Sequence, residues 1–481
     1  MRHYLLPDIS EPGKIGCTLP DLDVSPAELP PKELLRQELE LPEVSEVELV
    51  RYFTALGKLN YGVDSGFYPL GSCTMKYNPK WHEVLPRLPG FASVHPYQPE
   101  ESVQGALQLI FELQEYLSEI NGMKATSLIP IAGAHGEYTG LLMVKAYHKD
   151  RGDKARKKIL LTDSSHGTNP SSAVMCGFGL GVVATDKDGN VDMNSLDSLM
   201  NEEVAALTLT MPTTVGLFDP QILEISQLVH ERGGLLGADG ANVNAFVGQV
   251  KFGELGYDYV QLNLHKTFST PHGGGGPGSG PVCATENLAD FLPSPLVAKK
   301  DGKYAFVSPA KAIGKICVFH GNFAVLIRAY AYIRTLGAEG LKQVSEDAVL
   351  NANYLKEKLK AYYYLPYDRT CMHEVVFSGS RQKAKGVTTL DIAKRLLDYG
   401  LHPPTVYFPL IVHEALMTEP CETESKATLD EYIKVMIEIA RDAEENPEIL
   451  HTAPHNTPVR RLDDVRAVRQ PDLRWEMSGQ V

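Results

Sequence analysis

The chain has 481 residues, 43% of them hydrophobic and 22% charged, with a net charge of −14. Such a composition supports a large buried core in two or three domains, and its acidity excludes nucleic acid as an expected partner, because a polyanion is bound by a basic surface. Cysteines at 17, 73, 176, 283, 317, 371 and 421 form no Cys-x-x-Cys pair, which points to a reduced intracellular protein rather than a disulfide scaffold or a zinc module. The chain opens Met1-Arg-His-Tyr-Leu-Leu-Pro-Asp8, reaching a proline and an acid before any long apolar stretch, so no secretory signal is expected. The most apolar run, Ala173 to Ala184, is broken by three glycines and is too short to span a bilayer. No membrane association and a cytoplasmic location are therefore expected.

Residues 1–85 are rich in proline and acid, with one helical stretch near Glu43–Leu59, and read as an N-terminal extension. Its tail, Tyr61 to Lys76, is polar and glycine-rich, an irregular arm expected to pack on another subunit or over a pocket. From about 100 the pattern becomes alternating. Strands are expected at Lys158–Thr162, Gly181–Thr185, Ala205–Met211, Gly234–Ala238, Tyr259–Leu264 and Gly280–Ala284, with helices at Gly136–Lys149, Pro170–Cys176 and Pro220–Arg232. Apolar strands alternating with helices predict an α/β domain over 86–325, a mostly parallel sheet covered on both faces. A long helix begins near Asn322–Leu336. A strand at His373–Ser378 and helices at Thr389–Tyr399 and Thr428–Ala443 then predict a smaller C-terminal α+β domain over 326–445, and 446–481 reads as a tail.

In open α/β sheets, ligands bind beyond the carboxyl ends of the strands. Three such ends carry unusual residues: Asp163-Ser-Ser-His-Gly-Thr-Asn-Pro170, Asp239-Gly-Ala-Asn-Val-Asn244, and His265-Lys266 followed by Gly273–Gly276. A fourth element, Ala132-Gly-Ala-His-Gly-Glu137, opens an amphipathic helix. Singly, each has a bland reading: a solvated lysine, a capping aspartate, a hydrogen-bonded histidine, a glycine turn. Together they fit pyridoxal 5′-phosphate (PLP). A lysine that sheds its proton can form a Schiff base with an aldehyde, and a buried aspartate can keep a pyridine nitrogen protonated. His166 can stack on one ring face while the small Ala241 leaves room for the other. Backbone N–H groups of Gly133 and Ala134 at a helix start suit a dianionic phosphate.

Gly273, Gly275 and Gly278 match G-x-G-x-x-G formally, but the segment after them reads as a strand, so a dinucleotide site is not expected. No G-x-S-x-G elbow, zincin motif or other metal-ligating motif is present.

Long stretches then carry a family likeness: Tyr68-Pro-Leu-Gly-Ser-Cys-Thr-Met-Lys-Tyr-Asn-Pro79, Asp163 to Pro170, Asn263-Leu-His-Lys-Thr-Phe268, Gly321 to Tyr332, His402-Pro-Pro-Thr-Val-Tyr-Phe-Pro409 and Pro454 to Arg460. In them the sequence resembles the glycine dehydrogenase (decarboxylating) family, the P-proteins of the glycine cleavage system, and most closely subunit 2 of the two-subunit form. The resemblance implies a fold-type-I PLP enzyme with the cofactor covalently on Lys266. It makes His166 the stacking residue, Asp239 the pyridinium partner and Gly133 and Ala134 the phosphate cradle, with His265 a further phosphate or ring contact. It also implies decarboxylation of glycine with transfer of the aminomethyl group to a lipoyl group on the H-protein, and a homologous subunit 1 as partner, two copies of each. The glycine loop 273–280 and the segment 68–78 are candidate walls of the carrier's cleft. Two positions depart from the family pattern, Cys421 where threonine is expected and His135 where single-chain members have glutamine. The alternatives are a fold-type-I PLP enzyme acting on another amino acid, or a non-catalytic scaffold subunit.

Overall fold

The computed structural model describes residues 5–36, 39, 41–273 and 278–473. The chain divides into two compact units, Met1–Gly66 and Phe67–Val481. In the first, the helix Glu46–Gly57 starts from a reciprocal cap. The Ser45 hydroxyl accepts from the Glu48 N–H at 3.3 Å, and the Glu48 carboxylate accepts from the Ser45 N–H at 2.9 Å. Lys14 ties the preceding chain to this turn, its Nζ 2.7 Å from Glu48.

The second unit is built on a seven-stranded sheet: β1 (Ala125–Ser127), β2 (Lys158–Thr162), β3 (Gly179–Val183), β4 (Val204–Thr210), β5 (Leu235–Gly240), β6 (Tyr259–Leu262) and β7 (Val282–Ala284). Their spatial order is β1-β7-β6-β5-β4-β2-β3. All neighbours from β3 to β6 are parallel, and β7 is antiparallel to both β6 and β1. The mostly parallel sheet is thus as expected, with one reversed strand. Both faces are covered because consecutive side chains point to opposite sides. In β2, Leu160 joins a core with Leu207, Leu236 and Val260, while Ile159 and Leu161 join another with Ala206, Tyr259 and Val282. Each such leucine or isoleucine contributes roughly 1.5–3 kcal/mol on burial.

Three boundaries differ from expectation in ways that bear on the site. Helix Gly133–Asp150 begins three residues early, its first bond running from the Gly136 N–H to the Ala132 carbonyl at 3.0 Å. Gly133 and Ala134 therefore sit inside its first turn, their N–H groups free of intrahelical acceptors. β5 runs on through Asp239, whose carbonyl accepts from the Met211 N–H. β3 lies two residues earlier than predicted because Gly177, at φ +80°, turns the chain directly into it. β1 escaped sequence reading altogether, since Ala-Thr-Ser has no apolar pattern.

The long helix expected to begin near Asn322 runs over Phe323–Leu359 and is broken at Gly337, φ +62°. Beyond it lies a three-stranded antiparallel sheet, with Val375–Ser378 and Thr405–Val406 flanking Ala415–Thr418. Helices Thr389–Asp398 and Lys426–Glu445 pack Ile392, Leu396, Leu429, Tyr432 and Met436 over it. The irregular segment after Phe67 is integral to this unit. Leu70 bridges to Thr418, and a Cβ on Gly71 would lie 2.2 Å from Met417 Cγ, so only glycine permits that approach. Among the described residues no helix is long and apolar enough to cross a membrane.

Candidate active site

The carboxyl ends of β4, β5 and β6, the first turn of helix Gly133–Asp150 and the Ser72 loop enclose a cavity of about 190 Å³. Every expected site residue lines it: Gly133, Ala134, His166, Asp239, Ala241, His265 and Lys266. Asp239 is 3% exposed. Its Oδ2 accepts from the Asn169 amide at 3.0 Å and its Oδ1 from the Ala241 N–H at 3.1 Å, which fixes the carboxylate plane. Lys266 Nζ donates to the Ser72 carbonyl at 2.7 Å. Ser72 and Thr74 hold positive φ of 64° and 46°, a conformation rare for non-glycine residues and frequent in functional loops. His166 is exposed to the cavity, its Nδ1 3.1 Å from the Thr168 hydroxyl, and that hydroxyl donates to Glu137 at 2.8 Å.

Burial dominates the electrostatics. It pushes His265 down to about 3, helped by His272 and Lys266, and His272 down to about 4, helped by Lys266. Both rings are therefore neutral at physiological pH. Because His265 Nδ1 accepts from the Ser279 N–H at 3.3 Å, its proton sits on Nε2, leaving a donor. Burial, then the nearby Asp239, raises Glu137 to about 8.

Several cavity residues had no role in the sequence reading. Thr210, at the end of β4, could have been found from the strand-end rule. Glu137 and Thr168 line the cavity and the buried Asn169 donates to Asp239; all three stood in the quoted motifs without a function. Glu374 and Thr214 carry no motif. Of the segment 68–78 proposed as an arm, Ser72 lines the cavity; of the glycine loop, 274–277 lie outside the described residues.

A protein from Caldanaerobacter subterraneus subsp. tengcongensis named "Probable glycine dehydrogenase (decarboxylating) subunit 2" is 60% identical over 98% of both chains. One of the same name from Shouchella clausii is 55% identical over 99% of this chain and 98% of its own. The chain belongs to this family. Residues 344–458 match the glycine dehydrogenase C-terminal domain, and 136–293 match aminotransferase class V. The fold resembles the crystal structure of a glycine decarboxylase (P-protein) of the glycine cleavage system, with TM-score 0.72 and 19% identity over 85% of this chain and 93% of that one. Enzymes of this family and fold depend on PLP, and the cavity of this chain fits that group. Hydroxyls of Thr210 and Thr214 are buried there with no partner among the described residues, a state a polar ligand relieves. A Cβ on Gly133 would lie 2.5 Å from Asn263 Oδ1, so glycine lets the helix start pack closely on Asn263 at the cavity wall.

Proposed function

We infer that the chain holds PLP at Lys266 and decarboxylates glycine, passing the aminomethyl group to the lipoyl group of an H-protein. The observation that carries this reading is the single cavity into which Lys266, Asp239 and the unpartnered Thr210 and Thr214 hydroxyls converge at a free helix N-terminus. When bound, the cofactor supplies an electron sink for the pair left on the α-carbon as CO2 departs. Lys266 is the amine that anchors it and gives way to the amine of glycine. Asp239, pinned by Asn169 and Ala241, keeps a positive charge on the ring nitrogen favourable in a site of low dielectric. His166 would offer the ring a flat face to stack on, and the small Ala241 would leave it room. The first-turn N–H groups of Gly133 and Ala134 would receive the phosphate, with Nε2–H of His265 as a further donor.

Subunit 1 as partner, in two copies of each chain, a lipoylated carrier and a cytoplasmic setting belong to the same reading. The partner subunit is supported by the name "subunit 2" that the relatives carry. Borohydride reduction of the PLP-loaded protein, followed by peptide mapping, tests the anchor. A pyridoxyl label on Lys266 is expected; a label elsewhere, or normal turnover by Lys266→Ala, overturns the assignment.

A further inference from the structure

Strand Val375–Ser378 pairs with Ala415–Thr418 so that Val375 faces Thr418. One rung further, the same register sets Glu374 beside Glu419. Like charges directly opposite on paired strands are destabilising, and here both are also buried, at 2% and 0% exposure. His373 joins them. Its Nε2 lies 3.6 Å from Glu374 Oε2, and neither ring nitrogen has a partner among the described residues.

The two carboxyls are not equivalent. Glu419 accepts from the Thr74 N–H at 3.0 Å, the Thr74 hydroxyl at 2.5 Å, Asn242 at 3.5 Å and Asn244 at 3.2 Å. Four donors stabilise a negative charge and occupy the oxygens a metal ion would need. Glu374 accepts from the Ser72 N–H at 2.7 Å and borders the cavity beside Lys266. Burial raises Glu419 only to about 7, so it is the first of the pair to ionise, and the proton stays on Glu374. The titratable groups facing Glu374 are Glu419, His373, Lys266, Cys73 and Cys371. Burial, followed by Glu419, raises Glu374 well above the ordinary carboxyl value, while burial and Lys266 push His373 down to about 3, so the histidine does not hold the proton.

The reaction proposed above consumes one proton. As CO2 leaves, the α-carbon's electron pair forms a C–S bond with one sulfur of the lipoyl disulfide, the S–S bond breaks, and the second sulfur departs with an electron pair. We propose that Glu374 is the catalytic acid that protonates this departing sulfur. Its O–H bond breaks as the S–H bond forms, and the carboxylate left beside Glu419 regains a proton from solvent before the next turnover. Ser72 links the two ends of the device, giving its N–H to Glu374 and its carbonyl to Lys266.

This inference rests on the proposed glycine-to-lipoyl reaction, and its test separates the two. Aminomethyl transfer from glycine to lipoylated carrier is measured on PLP-loaded enzyme assembled with its partner subunit, from neutral to alkaline pH, for wild type, Glu374→Gln and Glu374→Asp. For Glu374→Gln we expect kcat to fall roughly 10²-fold with KM for glycine unchanged, and the wild-type decline at alkaline pH to vanish. Glu374→Asp keeps part of the rate and the alkaline decline. Infrared difference spectra of the unloaded proteins at neutral pH should show a carboxylic-acid C=O band in wild type that Glu374→Gln lacks. Full rate with a wild-type pH profile in Glu374→Gln, or no such band, overturns the proposal. A wild type that shows the band but transfers nothing from glycine overturns the proposed function, on which this inference rests, whereas a wild type that transfers without the band overturns this inference alone.

Discussion

Replacing Asp239 with asparagine isolates charge from shape. The side chain lies in β5, buried, with Asn169 donating to one oxygen at 3.0 Å and the Ala241 N–H to the other at 3.1 Å. Asparagine occupies the same volume and keeps one acceptor, so the unloaded protein loses about one net hydrogen bond, roughly 1 kcal/mol. The loaded protein loses the partner of a buried cation, about 3–5 kcal/mol. At about 1.4 kcal/mol per decade that is a roughly 10²- to 10³·⁵-fold weaker hold on PLP. Fluorescence titration of the unloaded protein with PLP gives the affinity, and its thermal melting gives the structural cost. Wild-type affinity in Asp239→Asn would refute the pyridinium role. A loss of melting stability as large as the loss of affinity would make the residue merely structural.

Three further outcomes follow from the same geometry. Lys266→Ala should abolish turnover while leaving the fold intact by circular dichroism, since its amine contacts only the Ser72 carbonyl among the described residues. Gly71→Ala drives a Cβ to within 2.7 Å of the Met417 carbonyl; overpacking of this kind costs about 1–3 kcal/mol, and displacement of Ser72 should weaken PLP binding as well, read by melting and titration together. Burial and Asp239 raise Glu137 to about 8, and burial raises Glu419 to about 7. The folded state therefore binds more protons than the unfolded one above the ordinary carboxyl value of about 4.3. Their contribution to stability is present below that value and is lost as pH rises through 7 and 8. Urea unfolding of the unloaded protein across this range should show the decline, and Glu137→Gln should flatten its upper part.

The parts legible in the sequence were those with a short-range signature. Buried parallel strands such as β2 and β4 read as apolar runs, and the Asp239 and Lys266 clusters stand at strand ends where ligands bind. Helix Gly133–Asp150 was found, but its glycine-rich first turn hid its start. What escaped reading depends on distant pairing. Ser72 reaches the cavity only because Leu70 bridges to Thr418 and Gly71 packs on Met417. Glu374 meets Glu419 through a strand register that neither local sequence specifies. Thr210 and Thr214 are unremarkable threonines until the fold buries their hydroxyls without partners among the described residues.

The most direct test of the central claim uses glycine labelled in its carboxyl group, mixed with PLP, subunit 1, lipoylated H-protein and either the wild-type chain or Lys266→Ala. The account predicts labelled CO2 from the wild type and none from the variant. No release from a wild-type chain that has bound PLP, or equal release from both, would contradict it.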